Sequence, residues 1–249
     1  MRKNFYIKDV LVDIPHLKRI EAKACFDFQK LIKEFGSSWS IGFSAGKDSV
    51  VVAHLASRFG IVDGCCEESF CFPKDRKEMR SIANQLGLNI EFRDSLSDKW
   101  LKDKPQYIFP YPKDSSLFYA NRQQKSIKSH AQEYVGLITG RRHEENSIKS
   151  ELYKTSNGLW NFHPIAKWRS EDIWGYIKWK ELPFLSIYES ELGQLEGATP
   201  WCNISRKYTP DTNKCWSLVY NHDKPYFLNH LVNVYPQAND FYEKHIRKS

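Results

Sequence analysis

Short apolar segments alternate with segments of helical periodicity over the first hundred residues, and this alternation limits the possible folds more than any other feature. Strands are predicted at residues 39–43, 61–66 and 88–92, and helices at 15–35, 48–59 and 74–86, each helix being followed by a glycine. A strand–helix–strand order of this kind predicts an α/β fold, a twisted parallel sheet with helices on both faces. Ligands of such sheets bind at the carboxyl ends of the strands.

The second half of the chain is less regular. A proline-containing irregular insertion is predicted at 94–115, followed by a basic helix at 116–133 and a strand at 135–139. A further helix begins at Ser170 and ends before Pro183, and periodicity then disappears until one or two helices within 224–245. We therefore predict a domain at residues 1–190 that contains the sheet, and an irregular to helical C-terminal extension, residues 191–249, packed on it.

The charge balance favours an anionic ligand. The chain has 249 residues, with 37 Lys and Arg against 30 Asp and Glu, and the resulting net charge of +7 is spread out rather than gathered in a tail. Such a surface suits a nucleotide or, less specifically, a nucleic acid, although a basic surface without any partner has the same composition.

The composition also indicates where the protein works. We expect a soluble cytoplasmic protein, because the N-terminus lacks the apolar core of a signal peptide and no apolar run approaches the ~20 residues that span a bilayer. The six cysteines show no repeating frame and no complete zinc or iron–sulfur ligand set, so buried thiols are the simplest interpretation.

Residues 44–49, SAGKDS, form a tight turn where the first predicted strand gives way to a helix. Small residues let the backbone approach a bulky anion, and the first N–H groups of the helix have no partner within it. Lys47 would add a point charge, and Asp48 would cap the helix or hold Mg²⁺. A sharp turn before a capped helix explains the pattern equally without a ligand. If the turn holds phosphate, its nucleotide-binding residues are Ser44, Ala45, Gly46 and Ser49.

This turn is not a Walker A loop, which would need glycine at Ile41 and Ser or Thr at Asp48. It resembles the PP-loop of the ATP pyrophosphatase superfamily, written Ser-Gly-Gly-x-Asp-Ser after a strand. The one departure is Ala45 in place of the first glycine of the pair.

Three other segments resemble the branch of that superfamily that contains phosphoadenosine phosphosulfate (PAPS) reductases and the small subunit of sulfate adenylyltransferase. Glu68 and Ser69 follow the second strand as an acidic and a hydroxyl residue do there. The segment GLITGRRHEENS, residues 136–147, resembles a strand end followed by Gly-x-Arg-Arg and acidic residues. Residues 160–188 resemble the longest signature of the branch. Lys125 falls near a lysine that faces the nucleotide.

The resemblance implies an adenine nucleotide alpha-hydrolase-like fold and an enzyme that binds ATP with Mg²⁺ and cleaves it between the α- and β-phosphates. Such transferase chemistry activates an acceptor, in sulfur metabolism or in nucleic-acid modification. Lys47 would act on the leaving pyrophosphate, with Asp48 as a metal ligand. Arg141 and Arg142 would grip phosphate with their forked donors, unless Arg142 belongs to a surface network with Glu144 and Glu145.

Two other functions stay open at this point. The first is thioredoxin-dependent PAPS reduction, which needs a nucleophilic thiolate; Cys202 and Cys215 are the thiols beyond the signature region, although a buried structural role explains them as well. The second is a nucleotide-binding or nucleic-acid-binding module without catalysis, for which residues 100–128 supply aromatic and basic side chains. The acceptor, a partner protein and homo-oligomer formation are not determined by the sequence.

Overall fold

The computed structural model describes residues 6–68, 73–94, 127–144, 148, 150–156, 158–189, 236 and 239–245. Its helices and strands are α1 (Ile14–Phe35), β1 (Trp39–Gly42), α2 (Lys47–Ser57), β2 (Asp63–Glu67), α3 (Pro73–Gln85), β3 (Asn89–Arg93), β4 (Gly136–Ile138), β5 (Leu152–Lys154), β6 (Trp160–Phe162), α4 (Ser170–Lys180) and α5 (Asn239–His245). Residues 127–131 are also helical, and short 3₁₀ turns lie at Ile7–Asp9 and Ser186–Glu189.

The six strands form one sheet in the order β3-β2-β1-β4-β6-β5. Neighbouring strands run parallel from β3 to β6, and β5 pairs with β6 in the antiparallel sense. The predicted α/β class with a parallel sheet and helices is confirmed. The antiparallel edge strand was not predicted, because β5 and β6 have three residues each and a connection of only five residues joins them. So short a connection can join only antiparallel neighbours.

The sheet has two chemically different faces. Trp39, Ile41 and Phe43 point to the first face and share the main apolar core with buried residues of α1, α2, α3 and α4. On the second face, a smaller cluster joins Leu137 and Leu159 to the helical segment 127–131. The second face is therefore covered less extensively than the first, within the residues that the structure describes.

The helices form where the sequence pattern predicts them. Asp13 accepts a hydrogen bond from the N–H of His16 (3.1 Å) at the start of α1, and Gly36, with φ of 77°, ends that helix. The predicted boundaries of α2, α3 and the first three strands differ from the observed ones by a few residues at most. The short helix α5 lies inside the stretch 224–245, where helix was expected.

Some predictions fall on residues that the structure does not describe. These are the insertion at 94–115 apart from its first residue, the first part of the basic helix at 116–133, and the boundary between residues 190 and 191. The division into 1–190 and 191–249 therefore stays a prediction. Among the residues that the structure does describe, no helix combines the length and apolar character needed to cross a membrane.

Candidate functional site

The turn at residues 44–49 connects β1 to α2 at the carboxyl edge of the sheet. Ala45 has φ of 52°, a left-handed conformation in which a non-glycine residue is strained, and it is fully buried. This geometry explains why the related motif carries glycine at the same place. Gly46 returns to an extended conformation and is the N-cap of α2, so the expectation that Asp48 caps this helix is wrong.

Hydrogen bonds within the turn hold it in one shape. The hydroxyl of Ser49 donates to the carbonyl of Gly46 (2.9 Å) and accepts from the N–H of Ser44 (3.2 Å). The hydroxyl of Ser44 also lies 3.2 Å from that of Ser49 and accepts a weak bond from the N–H of Gly46 (3.4 Å). The two serines therefore stabilise the turn before any ligand arrives.

The first turn of α2 leaves two backbone donors available. The N–H of Lys47 donates to the phenol oxygen of Tyr188 (3.1 Å), and the N–H of Val50 makes the first intrahelical bond, to Gly46. Within the described part of the chain, the N–H groups of Asp48 and Ser49 have no acceptor. These donors, at the positive end of the dipole of α2, favour an anion.

A buried network of charges lies beneath these donors. The ammonium of Lys47 is 2.8 Å from one carboxylate oxygen of Asp48, and Nε of Arg142 is 2.6 Å from the other. The side chains of Lys47 and Arg142 are 1% and 0% exposed. Burial by itself raises the pKa of Asp48, but the positive charges of Lys47 and Arg142 outweigh it and hold that pKa below its ordinary value.

Arg142 also connects the end of β4 to the start of α4. Its Nη1 lies 2.6 Å from Glu144, and the same carboxylate oxygen accepts hydrogen bonds from the N–H (2.9 Å) and the hydroxyl (3.0 Å) of Ser170. The alternative of an Arg–Glu network is correct in its pairing, since Arg142 pairs with Glu144, and wrong in its surface location, because Arg142 is fully buried. Glu145 lies outside the described residues.

Gly140 allows this close assembly. A Cβ at Gly140 would lie 2.8 Å from the backbone carbon of Asp48 and 2.9 Å from its Cβ. Only glycine therefore lets the segment after β4 lie directly against the first turn of α2. Arg141 follows immediately; its side chain is exposed and has no ion pair among the described residues.

Glu68 lies one strand away, at the end of β2. Its carboxylate is bound by both terminal nitrogens of Arg80, one of them at 2.9 Å, and lies 3.7 Å from Arg76. Ser69, Lys125, Cys202 and Cys215 lie outside the described residues, and their proposed roles stay predictions.

Burial makes the described β2 thiols unreactive. It raises the pKa of Cys65 to about 12 and that of Cys66 well above its ordinary value. A thiol with so high a pKa is a poor nucleophile at neutral pH. The prediction of buried thiols is therefore confirmed for Cys65 and Cys66, and neither supplies a thiolate.

Tyr188 contacts the turn, and the sequence analysis did not single it out. Its ring packs edge-on against Trp174 (centroids 4.7 Å apart), while its hydroxyl accepts from the N–H of Lys47. The signal available was chemical: a buried tyrosine usually finds a hydrogen-bond partner. The hydroxyl therefore fixes the start of α2 from a segment about 140 residues away.

Fold and site together define a class of protein: an α/β protein with a tight, glycine-containing turn at the carboxyl edge of a mostly parallel sheet, where backbone N–H groups face outward from the start of a helix. The model of the phosphoadenosine phosphosulfate reductase domain family matches residues 38–209, more than half of the chain. The chain therefore belongs to this family, and its fold is adenine nucleotide alpha-hydrolase-like.

Three comparisons illustrate the range of this similarity. The chain is 23% identical over 219 residues to sulfate adenylyltransferase subunit 2 of Colwellia psychrerythraea, covering 72% of this chain and 70% of that protein. It shares the fold of phosphoadenylyl-sulfate (PAPS) reductase from Candida auris in a phosphate complex (TM-score 0.54, 14% identity, 72% and 93% coverage). It also resembles FMN adenylyltransferase from Candida glabrata in complex with ATP (TM-score 0.51, 13% identity, 70% and 59% coverage).

Proposed function

We propose that this chain binds ATP, or a related adenylate, with its phosphates at the N-terminus of α2. It cleaves the bond between the α- and β-phosphates and transfers the adenylyl group to an acceptor. One observation carries the proposal: the turn before α2 presents the N–H groups of Asp48 and Ser49 without an acceptor among the described residues, next to the exposed Arg141. The adenylyltransferases among the similar proteins support it.

The residues of the turn stabilise negative charge on the phosphates. The two N–H groups and the dipole of α2 stabilise the negative charge that develops on the departing pyrophosphate. Arg141 contacts phosphate oxygens from the end of β4 with its forked donors. Lys47 and Arg142 add positive potential beneath the turn, and Asp48 holds both cations in place. Ser44, Ala45 and Gly46 give the backbone the shape that admits the phosphates.

Mg²⁺ is expected to accompany ATP, and Asp48 is the residue predicted to bind it. Both carboxylate oxygens of Asp48 are bound by cations, at 2.6 and 2.8 Å. Within the described residues, no group of three or more His, Cys, Asp and Glu side chains is arranged to hold a metal ion. Asp48 in this arrangement does not fit a metal ligand, and we derive no step through a protein-bound ion.

A second candidate is PAPS reduction, which the family and the similar Candida auris enzyme favour. The step requires a thiolate that attacks the sulfur of PAPS. Cys65 and Cys66 do not supply it, because burial raises their pKa. Cys71, Cys202 and Cys215 lie outside the described residues. Cys202 and Cys215, the thiols beyond the signature region, are the candidates, and replacing both would abolish activity if this function is correct.

The test begins with binding and ends with products. The full chain is first titrated with ATP and with PAPS to measure binding. It is then incubated with Mg²⁺ and either α-labelled ATP or PAPS. Anions, tRNA and thioredoxin are added as co-reactants. Pyrophosphate together with AMP or an adenylylated acceptor supports the proposal. Sulfite and adenosine bisphosphate support PAPS reduction, and absence of binding to both nucleotides contradicts both functions.

A matched pair of lysine variants separates site chemistry from net charge. Lys47→Ala removes the buried charge beneath the turn, and we expect ATP affinity to fall at least about tenfold, the effect of losing one charge-assisted interaction. Lys33→Ala removes the same charge from the exposed last turn of α1, shortly before β1 begins and hence at the opposite edge of the sheet. Equal affinities in the two variants would contradict the site.

The acceptor and the partners are also part of the proposal. The similar protein from Colwellia psychrerythraea is a subunit, so a partner subunit deserves a test along with a nucleic-acid acceptor and a homo-oligomer. We expect the protein to work in the cytoplasm, where ATP is available. Size-exclusion chromatography with light scattering determines the oligomeric state.

A further inference from the structure

The second face of the sheet carries a cavity of about 280 Å³ beside β4, β5 and β6. Leu137 lies opposite Asn161, which lies opposite Tyr153, so these three side chains point to the same face. Thr139 and His163 directly follow the last residues of β4 and β6, two positions beyond Leu137 and Asn161, and share that face. The cavity is lined by ten described residues, among them Lys128, Thr139, Arg141 and His163.

His163 is the buried polar group of this cavity. It is 1% exposed, and its Nδ1 lies 2.8 Å from the hydroxyl of Thr139. Its Nε2 is buried and has no hydrogen-bond partner in the described part of the chain. Burial, helped by the charge of Arg141, lowers the pKa of His163 to about 4, so the imidazole is neutral at pH 7. A buried polar atom without a partner is unfavourable, and a polar ligand in the cavity would satisfy it.

The charges of the lining favour an anion. Lys128 and Arg141 are both exposed cations, and none of the ten lining residues is acidic. Leu137, Leu159 and the ring of Tyr153, whose centroid is 5.6 Å from that of His163, provide apolar and aromatic walls. Two cations above apolar walls suit an organic anion better than a small inorganic one.

The cavity and the turn lie on two sides of one segment. Thr139 and Arg141 line the cavity, and Gly140 between them lies against Asp48 in the first turn of α2. A ligand in the cavity would therefore lie next to the phosphates that the turn is proposed to hold. This arrangement is what an adenylyl acceptor requires, because the reacting atoms must meet in line.

We propose that this cavity binds the acceptor, and that the acceptor is a compact organic anion with an aromatic or aliphatic body and one carboxylate. That the ligand is the acceptor rests on the proposed function, whereas the binding of a carboxylate in the cavity does not. In the reaction, a carboxylate oxygen forms a bond to the α-phosphorus of ATP. At the same time, the bond between that phosphorus and the oxygen that bridges the α- and β-phosphates breaks. Pyrophosphate leaves with the electron pair, and no proton is transferred.

Binding is tested with simple probes on the full chain. Benzoate and hexanoate are titrated by calorimetry, with inorganic sulfate and benzylamine as comparisons. We expect at least one of the two carboxylates to bind more tightly than sulfate, and benzylamine to show no binding. Failure of both carboxylates, or tighter binding of sulfate, overturns the proposal.

Variants locate the site on the second face. Lys128→Ala changes an exposed residue and should weaken carboxylate binding about tenfold, the loss of one charge-assisted hydrogen bond. Lys154→Ala removes the same charge from β5, where the ammonium lies 5.8 Å from the ring centroid of Trp160, and should leave affinity unchanged. Equal effects of the two variants contradict the location.

A spectroscopic signal tests the role of His163. In protein labelled with ¹⁵N-histidine, the resonance missing from His163→Leu identifies the imidazole. The bound carboxylate should shift the Nε2 signal of His163 and leave that of His54, whose imidazole lies against Tyr176 in the first-face core, unchanged. An unshifted His163 signal at saturating benzoate or hexanoate contradicts the proposal.

The two proposals fail in different ways. Lys47→Ala should lose ATP affinity and keep carboxylate binding. Carboxylate binding by a chain that binds no ATP would overturn the proposed function and leave the cavity as a ligand site. ATP binding by a chain that binds neither carboxylate would overturn this inference alone.

Discussion

Arg142 and its carboxylate partners illustrate how much a single buried residue contributes. Its guanidinium is bound to Asp48 from one side and to Glu144 from the other, and it is fully buried. Breaking a buried ion pair by removing one partner is much more costly than breaking an exposed one, because the remaining charge stays desolvated. Arg142 therefore contributes to the stability of the fold, independently of any contact with phosphate.

Replacing Arg142 tests this contribution to stability. We expect Arg142→Met to lower the free energy of unfolding by about 3 kcal/mol, since Asp48 and Glu144 lose their shared partner. Arg58→Ala removes an arginine, 45% exposed, from its pair with Glu21 and should cost less than about 1 kcal/mol. Urea unfolding measures both, and equal losses would show that burial around Arg142 does not strengthen its contribution.

The second prediction at this scale concerns pH. The pKa of His163 is lowered from 6.5 to about 4 in the folded chain, so between these values the unfolded chain binds a proton that the folded chain does not. The free energy of unfolding therefore decreases as the pH falls through this window. His163 should account for about 2 to 3 kcal/mol of the loss between pH 7 and pH 4.5.

The measurement is a comparison of urea unfolding at pH 7 and pH 4.5 in the parent chain and in His163→Leu. The variant lacks the titrating group, so its stability should depend less on pH by the amount given above. The same pH dependence in both proteins would contradict a lowered pKa.

At the scale of elements, the site depends on how closely β4 and α2 approach each other. The segment after β4 touches the first turn of α2 at Gly140, and Tyr188, from the 3₁₀ turn after α4, holds the same turn from another direction. That 3₁₀ turn is itself fixed, because Glu78 of α3 accepts from the N–H (3.0 Å) and the hydroxyl (2.6 Å) of Ser186. The start of α2 is thus contacted by two separate segments, and α3 fixes the second of them.

Gly140→Ala is the direct test of this packing. Its Cβ would meet the backbone of Asp48 at 2.8 Å, so the elements must separate. We expect a loss of about 1 to 3 kcal/mol in the free energy of unfolding, together with weaker ATP binding.

Gly175→Ala, inside α4, is the matched control. Its Cβ would find Leu17 at 3.4 Å, an ordinary contact, and alanine favours the helix, so stability should stay the same or rise by up to about 1 kcal/mol. Unchanged ATP affinity in Gly140→Ala would show that the close approach does not shape the site.

At the scale of the whole molecule, ligand binding and folding are linked. The net charge of +7 favours binding of polyanions in general, so a stabilising effect of ATP needs a control for nonspecific charge. A ligand at one hundred times its dissociation constant stabilises the folded state by about 2.7 kcal/mol. For a chain of this size, that free energy corresponds to a rise of about 5–10 °C in the melting temperature.

We therefore expect ATP to raise the melting temperature of the parent chain by that amount. A tenfold loss of ATP affinity in Lys47→Ala should reduce the rise to about half of that or less at the same ATP concentration. Inorganic tripolyphosphate at the same concentration measures the stabilisation that phosphate groups supply without the nucleoside. Equal shifts with tripolyphosphate and ATP would show that the nucleoside contributes nothing, and an equal shift with ATP in Lys47→Ala would contradict a nucleotide at the turn. Thermal unfolding followed by fluorescence gives all of these values.

The sequence by itself determined the α/β class, the first three strands and their helices, and the position of the turn between β1 and α2. These features are encoded locally: apolar periodicity over a few residues, a glycine after each of the first three helices, and small residues between β1 and α2. A resemblance in this turn and in residues 136–147 and 160–188 was sufficient to indicate the family that the comparisons then showed.

The tertiary structure determined the contacts between distant residues, which those local patterns do not encode. Asp48 and Arg142 are 94 residues apart, and only the pairing of β4 with β1 brings them together. The antiparallel pairing of β5 with β6, and with it the cavity around His163, likewise depends on strands too short to be recognised alone. Burial and ion pairing depend on the neighbours that the fold supplies, so no single segment of the chain specifies them.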